Sequence, residues 1–389
     1  MSATLSALSV DEIIARLGAQ STCDAGLTQD PWHFDTTKPS YGPGASMLDK
    51  LPHNAPRQQV LPEEYRNASD EELQERIRSA KSRLGSKLLI LGHFYQRDEI
   101  ICHADYVGDS FYLAKLAKTL PQRTIVLCGV EFMGESAKLL NPEKTVLLPE
   151  PAADCPMAHM VQKRTVDDAR ARYGEDLAVV CYVNSTIEIK SWSDVCVTSS
   201  NAVKICAELP QHNLLFIPDQ NLGRYVAEQL PQKHVILNKG YCPRHQVISA
   251  AQVVDSEEEH PDALVLAHPE CTADVLAEAD YIGSTAGIIA YAEQSEAREF
   301  IIVTVRGVLH ELERRCAGQG KRFYFPAPQP TCINMDMVTM EKLVRCLETG
   351  AGEVRIAVDE SAAERAQRAL DRMLAYAARS VERDCHGTE

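Results

Sequence analysis

The chain has 389 residues, 45% of them apolar and 24% charged, which is the composition of a globular protein with room for two to four domains. No apolar run approaches the roughly 18 residues a membrane span needs, so a membrane partner is not expected. Forty basic against 55 acidic residues give a formal net charge of −15, and no basic stripe interleaved with aromatics offsets it, so nucleic acid is disfavoured as a partner.

The opening segment, MSATLSALSVDEIIARLGAQ, has no basic n-region and meets Asp11 and Glu12 before any long apolar stretch, so it does not read as a secretory signal and a cytoplasmic chain is expected. The thirteen cysteines are then kept reduced, and each is a candidate metal ligand, nucleophile or small buried apolar residue. Residues 1–80 read as an N-terminal extension. In it Ser9 with Glu12 opens a short helix, and a stretch rich in Pro, Gly, Asp and Thr follows from Gln20 to Pro62. A second capping-box pattern, Ser69 with Glu72, opens a helix running to about Leu84.

From residue 85 short β-branched apolar runs alternate with amphipathic segments, the signature of an α/β fold with buried parallel strands. The expected strands are 88–94, 125–130, 145–149, 178–185, 214–218, 234–238, 263–270, 300–304 and 322–328. They fall into three sets of three, which divides the chain into similar αβα units at 81–155, 156–242 and 243–350. A last helix, from about Ser361 to Val381 within the segment 351–382, carries Ala363, Leu370, Met373, Leu374 and Ala377 on one face and is expected to pack on the first unit.

The three sets repeat at the level of polar residues. His93, Tyr182 and His268 each end the first strand of a set, and Ser110, Ser199 and Thr285 each stand 17 residues later, where a helix is expected to start. Each set then reaches a cysteine after its third strand: Cys155, Cys242 and Cys332. In parallel α/β sheets functional groups collect beyond the carboxyl ends of the strands. Three such units around a pseudo-threefold axis would bring three thiols, three strand-end polar groups and three anion-binding helix starts to one central cavity. Three thiolates suit either zinc or three corners of an iron-sulfur cubane. The absence of any C-x-x-C pair favours the cluster, with one iron left open as a Lewis acid.

The segments GHFYQ (92–96), YVGDS (106–110), PEPAADCPMA (149–158), YVNST (182–186), VTSSNAV (197–203), PDQNLG (218–223), GYCPRHQ (240–246), HPEC (268–271), ADYIGST (279–285) and CINM (332–335) resemble the quinolinate synthase family, the A proteins of NAD biosynthesis. The resemblance covers about residues 80–350 in one register. It implies three αβα domains around a pseudo-threefold axis, and a 4Fe-4S cluster held by Cys155, Cys242 and Cys332 with one open iron. The activity it implies is condensation of iminoaspartate with dihydroxyacetone phosphate to quinolinate, phosphate and water, with an aspartate oxidase as a source of iminoaspartate. Position by position, it implies acid/base roles for Tyr95, His268 and Glu270, and substrate orientation by His93, Tyr182 and Asn184. Ser110, Ser199, Ser284 and Thr285 match groups that bind carboxylate and phosphate.

Alone, each of these residues has a plainer reading: a strand-end histidine is by default structural, and a Ser or Thr at a helix start is by default a cap. Cys128, Cys181, Cys196, Cys206 and Cys271 are expected in the core. Some family members carry a C-x-x-C-x-x-C run ending in the third ligand, but here Pro326 and Gln329 hold those places, so a disulfide switch there is not expected. Two other functions share the ligands: an iron-sulfur hydro-lyase acting on a hydroxy acid, and a metal-cluster sensor without turnover.

Overall fold

The computed structural model describes residues 61–386, so the readings placed on residues 1–60 lie outside the described residues. The described chain opens with α1 (Glu63–Arg66) and α2 (Asp70–Leu84). Ser69 caps α2 by accepting the Glu72 N–H at 3.3 Å, and Leu73, Ile77 and Ala80 bury one face at helical spacing.

Twelve parallel strands then form three four-stranded sheets. The first contains β1 (Leu88–His93), β2 (Tyr106–Gly108), β3 (Thr124–Cys128) and β4 (Thr145–Leu147), in the order β2-β1-β3-β4. The second contains β5 (Leu177–Tyr182), β6 (Val195–Val197), β7 (Asn213–Ile217) and β8 (His234–Leu237), in the order β6-β5-β7-β8. The third contains β9 (Leu264–Ala267), β10 (Tyr281–Ile282), β11 (Glu299–Val303) and β12 (Arg322–Tyr324), in the order β10-β9-β11-β12. All nine strands expected from the sequence are present, and the α/β class with them. The expected three strands per set become four, because β2, β6 and β10 are two- or three-residue edge strands, too short to show a periodicity.

The sheets are built alike down to single hydrogen bonds. Asp105, Asp194 and Asp280 each accept the backbone N–H of the residue 15 positions earlier on the central strand, Ile90, Val179 and Val265, at 2.8, 2.7 and 2.8 Å. Each thereby ties the edge strand's approach to the sheet. Lys144, Lys233 and Lys321 each stand just before the last strand of a sheet. Each sends its ammonium to carbonyls at the end of a preceding helix, where the free C=O groups and the helix dipole favour a cation. Those helices are α4 (Ser110–Thr119), α8 (Ala202–Glu208) and α12 (Thr285–Gln294), once the short α3 (Asp98–Ile101), α5 (Glu131–Leu140), α6 (Lys163–Tyr173), α7 (Ile187–Ser191), α9 (Gln220–Gln229), α10 (Ala250–Glu259) and α11 (Ala273–Ala277) are counted in chain order.

The closing helices, after α13 (Leu309–Arg315), are α14 (Met340–Thr349) and α15 (Glu360–His386). Glu348 of α14 makes a two-pronged pair with Arg76 of α2, at 2.9 and 2.6 Å. Helix α15 buries Ala362, Ala366, Ala369, Leu370 and Met373. It does not lie chiefly on the first unit, as the sequence suggested. It packs on α7 and β6 of the second and touches α5 of the first, with Arg365 donating to the Ser191 carbonyl and Arg372 to that of Asp194. An apolar stripe specifies burial but not the partner, and here the cationic face chose among the available carbonyls.

Candidate active site

The loops that leave the carboxyl ends of the strands line one shared cavity. Twelve of the thirteen residues picked from the sequence line it: His93, Tyr95, Ser110, Cys155, Tyr182, Asn184, Ser199, Cys242, His268, Glu270, Thr285 and Cys332. Ser284 does not. It is buried as the N-cap of α12, its Oγ accepting the Gly287 N–H at 3.1 Å. The expected helix start at Ser199 also differs: α8 begins at Ala202 with Asn201 as its N-cap, and Ser199 sits in the preceding turn. Ser110 and Thr285 are the first residues of α4 and α12. Asn201 turns its side chain back to the Thr198 N–H at 2.7 Å, which closes the turn and delays the helix.

Glu270 is the most constrained group. Its carboxylate is buried, with Oε1 accepting the Tyr182 hydroxyl at 2.7 Å and Oε2 facing His245 Nδ1 at 2.7 Å. Burial alone would raise its pKa, but His245, His268 and the Tyr182 hydroxyl outweigh it and hold the carboxyl well below the usual range. The two strand-end histidines are oriented alike. Nδ1 of His93 accepts the Tyr95 N–H at 3.1 Å, and Nδ1 of His268 accepts the Glu270 N–H at 3.3 Å. The proton of each neutral ring is thereby left on Nε2, and His268 Nε2 meets Ser199 Oγ at 3.2 Å. Burial pushes His93 down to about 4 and His268 to about 3, so both stay neutral at physiological pH. Burial, then the Glu270 charge, raise Tyr95 and Tyr182 well above the usual phenol value, so both keep their protons.

The three thiols open on the cavity from three loops, one after the last strand of each sheet. Burial raises all three, and Cys155 and Cys242 are raised further by neighbouring thiols and Glu270. Against this, each sulfur faces backbone N–H groups of the turn that follows it: Ala158 for Cys155, His245 for Cys242, and Asn334 with Met335 for Cys332. Three sulfurs facing N–H donors suit a bound metal centre, which would neutralise their thiolate charge; Cys332 also has the Arg244 charge nearby. Asn184 fits a polar ligand as well, because its buried Oδ1 has no hydrogen-bond partner within the protein.

Sequence reasoning passed over His245, although it stands in the quoted GYCPRHQ segment. Its Nδ1 lies 3.2 Å from Cys242 Sγ, and Cys242, His245 and Glu270 place one ligand atom each within 4.8 Å of one another. The Cys-x-x-His spacing was the available signal. The core cysteines behave as expected: Cys128, Cys181, Cys196, Cys206 and Cys271 are buried.

An α/β protein that gathers thiols, imidazoles, phenols and an ionised carboxylate at the carboxyl ends of its sheets is an enzyme by class. The family described as Quinolinate synthetase A protein matches residues 75–375. The chain is 47% identical over 288 residues to the quinolinate synthase of Fusobacterium nucleatum, covering 74% of this chain and 94% of that protein. It is 45% identical over 286 residues to that of Caldicellulosiruptor saccharolyticus, covering 74% and 93%, and 41% identical over 302 residues to one from Clostridium perfringens, covering 78% and 98%. The chain belongs to the quinolinate synthase family. Among the described residues no helix is long and apolar enough to cross a membrane.

Proposed function

We propose that the chain condenses iminoaspartate with dihydroxyacetone phosphate to quinolinate, phosphate and water, using a 4Fe-4S cluster held by Cys155, Cys242 and Cys332. The observation that carries this reading is the meeting of those three thiols, one from each sheet's loops, on the cavity that also holds Tyr95, His268 and Glu270. When bound through three thiolates, such a cluster supplies one iron without a protein ligand, a Lewis acid for a substrate oxygen or nitrogen. The identical strand orders of the three sheets support units at 81–155, 156–242 and 243–350 arranged about a pseudo-threefold axis, with α15 as an added brace.

The reaction removes and delivers protons several times, and the side chains divide that work. Glu270, ionised and buried, takes protons as the base. Tyr95 keeps its phenol proton and gives it as an acid. Neutral His268 and His93 offer Nε2–H donors toward the substrate's oxygens. Tyr182 and Asn184 orient it, and the free Asn184 Oδ1 receives a substrate N–H or O–H. Ser110, Ser199 and Thr285 bind carboxylate and phosphate, with Ser284 holding the start of α12 in place; the N-termini of α4 and α12 favour these anions at Ser110 and Thr285. An aspartate oxidase is the proposed supplier of iminoaspartate, and the cytoplasm the proposed compartment.

Anaerobic incubation of the purified protein with dihydroxyacetone phosphate and enzymatically made iminoaspartate should yield a pyridine dicarboxylate, and about four irons per chain should be present. Turnover of a hydroxy acid instead would support a hydro-lyase, and binding without turnover a sensor. The Cys242, His245 and Glu270 group favours one second reading, a mononuclear metal. Stoichiometric zinc without iron after anaerobic expression would establish it.

A further inference from the structure

Three successive carbonyls just past Cys332 are each taken by a side chain from outside their own turn. In the turn Met335–Met337, the Met335 carbonyl accepts from Gln96 Nε2 at 3.1 Å, that of Asp336 from Arg97 Nη2 at 2.8 Å, and that of Met337 from Lys342 Nζ at 2.7 Å. The Asp336 N–H donates to the Cys332 carbonyl at 2.9 Å, which closes the turn directly onto the cysteine. Lys342 also reaches the other way, to Glu150 Oε2 at 2.8 Å, and Glu150 Oε1 accepts the Ala152 N–H at 2.9 Å. Glu150 and Ala152 belong to the PEPAADC segment that delivers Cys155. One buried ammonium therefore joins the loop of one cavity thiol to the turn of another.

We propose that the Lys342–Glu150 pair is a positioning brace that fixes the Cys155 loop against the Cys332 turn for the metal cluster, an inference that rests on the reading of those cysteines as cluster ligands. Neither the helix nor the core accounts for the pair. Lys342 is the third residue of α14, where the helix dipole disfavours a cation. Both side chains are buried, and an apolar pair of similar volume would fill that space without taking two charges out of water. What the ions supply is direction. An ammonium has three donors and a carboxylate two acceptor oxygens, so the pair can hold a carbonyl at one end and a backbone N–H at the other while bonding to each other. The two groups so held, the Met337 carbonyl and the Ala152 N–H, lie in the segments that lead away from Cys332 and into Cys155.

Each loop also has holds of its own. Gln96, fully buried, and Arg97 seat the Cys332 turn on the first unit independently of Lys342. Within the Cys155 loop the Glu150 carbonyl accepts the Ala153 N–H at 3.1 Å, and the Ala153 carbonyl accepts that of Glu131 at 2.7 Å. Removing the brace therefore leaves both loops in place and loosens only the distance between them. A cluster bound to both then leaves more readily, by the factor of about 10 to 100 that loss of a group supporting metal ligands produces. Neither Lys342 nor Glu150 lines the cavity, so the groups assigned to the substrate are untouched.

The test loads the full-length parent, Lys342→Met and Lys342→Met/Glu150→Gln with iron and sulfide under anaerobic conditions, then follows the loss of visible absorbance to an excess of ferrous chelator. Urea unfolding of each apoprotein is measured beside it. Both brace variants should release iron about 10- to 100-fold faster than the parent. Glu150→Gln removes the charge stranded by Lys342→Met but cannot restore the brace, so the double variant should unfold near the parent and still lose iron fast. Cys128→Ser, altered in the core away from the brace, is the control and should release iron at the parental rate. Brace variants that take up no iron while Cys128→Ser loads fully would be the stronger form of the same result. Parental release from the double variant overturns the proposal, and so does equally fast release from Cys128→Ser, which would trace the effect to general instability. A parent with zinc and no iron overturns the cluster reading and the brace with it; about four irons in the parent, held as long by the double variant, overturn the brace alone.

Discussion

Glu270→Gln separates the base from the scaffold around it. Glutamine keeps the shape of the side chain, and its carbonyl can still accept from His245 Nδ1. Its amide can donate to Tyr182, whose hydroxyl rotates to accept, so both 2.7 Å contacts survive as neutral hydrogen bonds. A hydrogen bond to a charged group contributes about 1 kcal/mol more than a neutral one. Two of them make the expected loss of stability about 2 kcal/mol, too little to unfold a domain of this size. Turnover should respond differently: with no carboxylate to take the proton, kcat should fall by roughly 10²-fold or more. Anaerobic quinolinate formation reads the rate, iron analysis reads the cluster, and urea denaturation reads the stability. Near-parental turnover would refute the assignment of the base and move it to another group, Tyr95 being next. Loss of iron would instead make Glu270 a cluster support.

Serine at 155, 242 or 332 should abolish both iron binding and activity. Serine at buried 128, 181 or 206 should keep iron and cost about 1–3 kcal/mol for an unmatched hydroxyl; full iron in Cys242→Ser would refute the assignment of one ligand per unit. Burial, with help from Asp154 and Glu135, pushes Glu131 up to about 8 from its ordinary 4.5. The folded state therefore binds a proton that the unfolded chain has released between those values, and stability falls as pH rises through that window. Glu131→Gln does not titrate, so after discounting for partial exposure it should gain about 2 kcal/mol over the parent on going from pH 5 to pH 8. A pH-independent difference in melting would sink that argument. Lys342 and Glu150 form a buried pair at 2.8 Å, and the Lys342 ammonium also donates to the Met337 carbonyl at 2.7 Å. Lys342→Met should cost about 3–5 kcal/mol by stranding the Glu150 charge, and adding Glu150→Gln should recover much of it; equal losses in the single and double variants would show the charge is not the cause.

The strands, their parallel class and the repeat were legible in the sequence because each rests on a local pattern. A strand buried on both faces must be apolar along five or six residues, as in Leu88–His93 and Leu177–Tyr182, and equivalent places in repeated units keep equivalent chemistry. The repeat arithmetic even selected three cysteines of thirteen and placed them on one cavity wall. Short-range competition set the limits. The Asn201 turn displaced the start of α8 past Ser199, and Ser284 spent its hydroxyl on the Gly287 N–H instead of the cavity. The edge strands β2, β6 and β10 owe their pairing to neighbours rather than to their own two or three residues, helped by Asp105, Asp194 and Asp280 reaching back to the central strands.

Tertiary structure alone decided what meets what across sheets. No local pattern ties Tyr95 to Thr285, 190 residues apart, or Tyr182 to Glu270, 88 apart, yet those contacts set the hydrogen bonding of the site. His245 carried a spacing signal but no partner, because an imidazole takes its role from whatever donor or acceptor the fold brings within about 3 Å. The same holds for α15, whose apolar stripe demanded burial while the carbonyls of Ser191 and Asp194 determined where. Hydrophobic pattern is carried by each segment on its own, and so can be read from it. Directional hydrogen bonds between distant segments exist only once the chain has folded.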